Sequence, residues 1–178
     1  MRGFSIQTVG PLPVRWAEHV MAEGHWGHAL REYMRDYNHW YTLGVLSELL
    51  PRPDNRVTLA EERDRNDIPV ARLDDYTQCD NDRANVAYAK ARLLEIMDAA
   101  GAQETLTIDR YAHLVGGCAM SDSPGHGVVN SDHRAWDVPN LFIADGSVMP
   151  TQGSANPALT IMALASRLAE RLAEKRIG

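Results

Sequence analysis

Apolar and polar residues alternate from Phe4 to Val9, where Ser5 and Gln7 separate Phe4 and Ile6, and Gly10-Pro11 follows. A period of two marks a half-buried strand, and Gly-Pro ends it. Trp26, Leu30, Tyr33, Met34 and Tyr37 fall at helical spacing and predict a helix over 26–37. Leu43 to Leu50 is an apolar run stopped by Pro51-Arg52-Pro53. Two short runs, 56–59 and 69–73, predict a strand pair. The polar stretch 61–67 would join them and is long for a tight hairpin. Asn81 or Asp82 is positioned to cap a helix running to about Ala100, with Val86, Leu93, Leu94 and Met97 near one face. Gly101 then takes the position past the helix end that favours left-handed backbone.

The last third has a different texture. Residues 138–146, Val-Pro-Asn-Leu-Phe-Ile-Ala-Asp-Gly, predict a short buried strand running into a glycine turn. A loop of small residues, 151–155, leads to Asn156 as a candidate N-cap and Pro157 as the first helical residue. The predicted helix runs to about Lys175. Leu159, Ile161, Met162, Leu164, Ala165, Leu168 and Leu172 cover more than half of its circumference at first. Such a helix is expected to be buried at its start and half-exposed at its end, where Glu170, Arg171, Glu174 and Lys175 collect.

Composition narrows the field. The 178 residues, 44% of them hydrophobic, suffice for one domain or slightly more. A net charge of -6 offers no broad basic face to nucleic acid or an anionic membrane. No apolar run approaches the roughly 20 residues that span a bilayer. The first residues lack the apolar core of a secretory signal, so a reducing cytoplasm is the default expectation. Cys79 and Cys118 lie outside any CxxC pattern and read as buried free thiols, with a disulfide or a reactive thiol as the alternatives. His19, His25, His28 and His39 gather in one aromatic stretch. No cysteine or carboxylate joins them at a metal-site spacing, so no metal is expected, and Trp26, Tyr33, Tyr37, His39, Trp40 and Tyr41 read as core and interface aromatics.

Two places carry candidate chemistry. A helix start presents unpaired N–H groups and the positive end of a dipole, and the residues before it, Gly153-Ser154-Ala155, leave room for a flat ligand. His113 directly precedes the small residues of Leu-Val-Gly-Gly-Cys-Ala-Met120. A neutral imidazole held there can accept a proton from an alcohol near pH 7; the competing reading is a structural histidine.

Four blocks occur in order: 113–120, His-Leu-Val-Gly-Gly-Cys-Ala-Met; 127–130, Gly-Val-Val-Asn; 138–150, from Val-Pro-Asn-Leu to Ser-Val-Met-Pro; and 156–165, Asn-Pro-Ala-Leu-Thr-Ile-Met-Ala-Leu-Ala. This string resembles the C-terminal signature of the glucose-methanol-choline (GMC) oxidoreductases over about residues 111–173. Residues 55–59 and 99–102 resemble the family's substrate-binding region more loosely. The resemblance implies an α+β fragment of a GMC-type flavoprotein. Residues 1–112 would be part of an antiparallel-sheet substrate domain, and residues 113–178 the final strand and helix that complete the FAD domain. It implies an FAD-dependent oxidoreductase acting on CH–OH groups of a small alcohol or sugar. His113 matches the family's proton-accepting histidine, and Asn156 the position that hydrogen-bonds the substrate oxygen. Asp145 and Gly146 match the strand end that contacts FAD. Asn156, Pro157 and Ala158 match the helix start that faces the flavin. Gly117 departs from the threonine that many members carry.

The family's ADP-binding half opens with a strand and a GxGxxG turn, and no such motif occurs here. The expectation is a fragment of a longer gene, or a split half that needs a partner chain and is inactive alone. The alternative is a truncated, non-catalytic remnant that keeps only the scaffold.

Overall fold

The computed structural model describes residues 3–10, 12–73, 76–109 and 111–174. The predicted helix end at Lys175 therefore lies outside the described residues. Strand β1 (Phe4–Thr8) pairs antiparallel with β2 (Leu43–Ser47), with Phe4 opposite Ser47 and Thr8 opposite Leu43. Between them lie helices α1 (Pro13–Ala22) and α2 (His28–Arg35) and a 3₁₀ turn, Tyr37–His39. The predicted helix 26–37 is thus shorter than its periodicity. Gly27, with φ 60°, precedes its first turn, and Asp36 ends it.

Helix α1 lies in a stretch for which the sequence pattern above predicts no element. Its signals are present: Pro13 at the first helical position, and Trp16 and Val20 four apart, both buried. Trp16 packs on Trp40, Trp40 on Tyr33, and Tyr33 on His25, with ring centroids 4.6, 5.8 and 4.7 Å apart. This ladder absorbs much of the aromatic stretch. Among the described residues no three His, Cys, Asp or Glu side chains converge as metal ligands.

Strands β3 (Val57–Arg63) and β4 (Pro69–Leu73) form the predicted pair, with a register irregularity between Leu59 and Arg63. Because β3 continues to Arg63, the connection is short. Asp64 closes it by accepting N–H bonds from Asn66 (2.8 Å) and Ile68 (3.0 Å), and Asp67 takes φ 63°.

Helix α3 (Asp80–Ala99) begins earlier than expected, with Cys79 at the N-cap. Asp82 still serves the helix start: its carboxylate accepts the Cys79 N–H at 3.4 Å, the reciprocal half of a capping box. At the far end Gly101, φ 81°, donates to Asp98 O and Ala102 to Met97 O, the paired bonds of a Schellman motif. The buried stripe is Asp82, Asn85 and Ala89, and Leu94 lies off it, half-exposed. Asn85 ties α3 to the first sheet, donating to Ser47 Oγ (2.8 Å) and Gly3 O (3.3 Å), while Tyr88 meets Phe4 edge-on.

From Tyr111 onward the only α-helix among the described residues is α4 (Ala158–Ala173). The predicted strand 138–146 is corrected: a turn closed by the Leu141 N–H on Val138 O (2.9 Å) comes first, then a single bridge between Phe142 and Arg134, then the start of the 3₁₀ turn 146–148. The segment finds too little backbone to pair with for a ladder, and Val138 and Leu141 are nearly half exposed. The core here is Val129, Ala135 and Val148, joined by Met120, Ile143 and Leu164. Burial along α4 also runs opposite to expectation. Leu168 is buried, whereas Leu159 and Met162 near the start are 77% and 61% exposed, because no described element covers that face. Two arginines anchor the helix: Arg171 pairs with Asp132, and Arg167 donates to Ser131 O. The turn they grip is itself fixed, since Asn130 Oδ1 accepts from the N–H groups of Asp132 (2.9 Å) and Arg134 (3.1 Å). No described helix is long and apolar enough to cross a membrane.

Candidate active site

Three segments that carry the candidate residues converge. Cys118 N–H donates to Ser147 O (2.9 Å) and Met120 N–H to Val148 O (2.8 Å), so the stretch after His113 lies along the stretch after Asp145. Gly116 makes the approach possible. Its φ is 89°, and a Cβ there would sit 3.4 Å from Met149 O. Gly146 does the same on the other side: a Cβ would stand 2.9 Å from Ile161 Cδ1 and 3.6 Å from Val115 Cγ1. Its missing side chain is the space in which α4 closes on the segment from His113.

His113 has a left-handed backbone, φ 59°. Among residues other than glycine, histidine, asparagine and aspartate enter this region most readily. Its ring is half-buried, and Nδ1 is buried with no hydrogen-bond partner among the described residues. His133 differs in burial: it is fully enclosed, with Nδ1 bonded to Ile143 O at 2.8 Å and Nε2 without a hydrogen-bond partner among the described residues. That bond and the Ile143 N–H to His133 O bond (3.1 Å) hold the chain two residues ahead of Asp145.

Asp145 is exposed and caps the short 3₁₀ turn 146–148, accepting the Ser147 N–H at 2.8 Å. Hydrogen bonding from the Ser147 side chain and backbone holds its carboxyl below the ordinary aspartate range. Pro157 itself occupies the N-cap of α4, with φ -86° and ψ -9°, and Ala158 is the first helical residue. The expected cap at Asn156 is therefore corrected by one position, and its side chain makes no cap bond. Instead Asn156 Nδ2 donates to Gln7 Oε1 at 3.5 Å. His113 and Asn156 are not hydrogen-bonded to each other.

Gln7 and Ser5 are site neighbours that the pattern analysis missed. Alternation marks them as the polar face of β1, and such a face ordinarily meets water. Here it meets the loop before α4: Ser5 Oγ donates to Ser154 O at 2.6 Å, and Leu49 bridges Gln152. Nothing local in the sequence announces a contact between positions 149 residues apart.

The arrangement suits a flat ligand with an anionic edge. The first N–H groups of α4 have no partners within the helix. Ala158, Leu159 and Thr160 are exposed, and a Cβ at Gly153 would meet nothing within 4 Å. The isoalloxazine end of a flavin fits these features, whereas the sequence supplies no glycine-rich turn for its pyrophosphate.

The chain is 33% identical to 2-methyl-1,2-propanediol dehydrogenase of Mycolicibacterium austroafricanum, covering 98% of this chain and 33% of that protein. It is 31% identical to the fructose dehydrogenase large subunit of Gluconobacter japonicus, over 79% of this chain and 26% of that protein. Among solved structures it is similar to pyridoxine 4-oxidase from Mesorbium loti, with a TM-score of 0.48 and 20% identity over 74% of this chain and 29% of that one. The chain thus spans about a third or less of the length of these relatives. The sequence profile of the GMC oxidoreductases matches residues 51–165, and the chain belongs to that family, carrying its C-terminal domain.

Proposed function

We propose that this chain is the catalytic C-terminal part of an FAD-dependent oxidoreductase that acts on a CH–OH group of a small polyol or sugar. The observation that carries this reading is His113. Its ring nitrogen Nδ1 is buried and uncommitted, on a segment bonded along Ser147 and Val148 beside the open start of α4. His133 also keeps one ring nitrogen, Nε2, without a partner, but it is 1% exposed and closed to a substrate, whereas the His113 ring is only half-buried.

His113 takes the hydroxyl proton of the substrate. The Asn156 amide donates to the same oxygen and stabilises the negative charge that grows there. Asn156, Pro157 and Ala158, with Asp145 and Gly146, are the residues that would hold the flavin end of FAD. Bound FAD would supply the acceptor for the hydride that leaves the carbinol carbon. The polyol or sugar class is supported by the relatives named for a propanediol and for fructose. The pyrophosphate is held by an ADP-binding half, on the same polypeptide or a partner chain.

The test is anaerobic bleaching of the flavin absorbance in the FAD-loaded enzyme assembled with that half. Vicinal diols and sugars should bleach it; absence of bleaching by any primary or secondary alcohol would refute the reading. The 178-residue chain alone should lose added FAD on gel filtration, because it has no phosphate cradle. Stoichiometric retention would overturn the division of labour between the two halves.

A further inference from the structure

We propose that β1 is the rail that orients the Asn156 amide, and that Gln7 is a positioning residue for the reaction. This rests on the reading of Asn156 given above. The register carries it. Ser5 meets Ser154 and Gln7 meets Asn156, and both pairs are separated by 149 residues. A constant offset means that residues 154–156 run parallel to β1, two residues of loop for every two of strand. The Ser5 to Ser154 bond, 2.6 Å, pins this alignment. Gln7 then lies beside Asn156 as the next rung.

The chemistry gives the rung a purpose. A primary amide presents two N–H donors on one end and an acceptor oxygen on the other. As the substrate hydroxyl loses its proton, its oxygen gains negative charge and requires a donor. An acceptor in that place would oppose the reaction. Gln7 Oε1 accepts from Asn156 Nδ2 at 3.5 Å, a long bond that biases the amide toward this orientation and leaves the second Nδ2 hydrogen for the substrate. Without Gln7 the amide rotates freely and spends part of its time with Oδ1 toward the substrate. The backbone of β1 is itself held by pairing with β2 and by Asn85 on α3, so the rail is anchored away from the site.

The test compares Gln7→Met, which keeps the side-chain length and drops the acceptor, with Gln7→Glu, which keeps an acceptor. In the isotope-labelled 178-residue chain, the Asn156 side-chain amide pair is followed by NMR and identified by its loss in Asn156→Ala. Gln7→Met should move this pair toward the position of a solvated amide, and Gln7→Glu should not. Ser5→Ala, which cuts the neighbouring rung and leaves Gln7 intact, should move it partway and serves as the second probe if Gln7→Met melts early. In the FAD-loaded enzyme, Gln7→Met should slow flavin reduction about fivefold, the usual weight of one hydrogen bond, with KM moved less. That penalty should vanish when Asn156 is already alanine. Amide signals unmoved by Gln7→Met, or an equal penalty in the Asn156→Ala background, would overturn the proposal. If Asn156→Ala itself reduces flavin at the parent rate, the catalytic reading of Asn156 falls and takes the mechanistic role of Gln7 with it. The amide signals would then still report whether Gln7 holds the side chain.

Discussion

Residues 3–109 and 111–174 are built by different means. The first region is a succession of regular elements, two antiparallel pairs and three helices, yet much of its apolar surface stays open. Hairpin β3–β4 leaves Val57, Leu59 and Leu73 more than half exposed. The second region has one α-helix and otherwise only turns and isolated bridges, yet it packs Val129 and Val148 as fully away from solvent as the first region packs Val20, and it too leaves apolar side chains open, Leu114 and Leu159 above all. It also carries every residue that the family resemblance assigned to the site. Regular backbone and a fixed site are therefore separate achievements here. The site is held by a small core and by bonds between short segments, such as those from Cys118 and Met120 to Ser147 and Val148.

The comparison can be broken most decisively at His113. If the irregular region serves chemistry, His113→Ala should slow flavin reduction in the FAD-loaded enzyme by about 10²–10⁴ while leaving the melting temperature nearly unchanged. A parent-like rate would remove it as the base. Next comes the core. Leu168→Ala should destabilise the chain by about 2–5 kcal/mol, read from urea unfolding, because Leu168 is 4% exposed. A loss under 1 kcal/mol would mean that α4 is not fastened where the structure places it. Gly146→Ala should have a smaller effect, about 1–3 kcal/mol, since its methyl would press on Ile161 Cδ1. A neutral result would show that α4 can shift to make room. Smallest of all should be Leu59→Ser on the open face of β3, within about 0.5 kcal/mol. A loss comparable to that of Leu168→Ala would show that the hairpin face is covered in solution.

Legibility in the sequence followed the same division. Period-two alternation identifies β1, two short runs around a polar stretch identify the β3–β4 pair, and Gly101 identifies the end of α3, because those signals are local. Helix α1 was missed although Pro13, Trp16 and Val20 announce it; the surrounding aromatics drew attention to a cluster rather than to a period. In the second region the motif blocks marked His113, Asp145, Gly146 and Asn156, while the backbone reading of 138–146 as a strand failed. A strand requires a neighbour, and apolar residues alone do not provide one. The burial of α4 failed for the same reason, since amphipathicity describes what a helix can cover and not what is there to be covered. Gln7 was illegible because its meaning depends on a loop at the other end of the chain.

The rungs between β1 and that loop also set an order of events during synthesis. A ribosome adds roughly 5–20 residues per second. The 149 residues from Ser5 to Ser154 therefore take on the order of 7–30 s to appear after β1 has been made. Through that interval β1 can pair with β2 and receive α3, but the face that will hold Asn156 has nothing to rest against. An apolar face left waiting so long would invite association with other nascent chains. Serine and glutamine at those positions keep water as an interim partner, so the side chains that later align the loop also make its late arrival harmless.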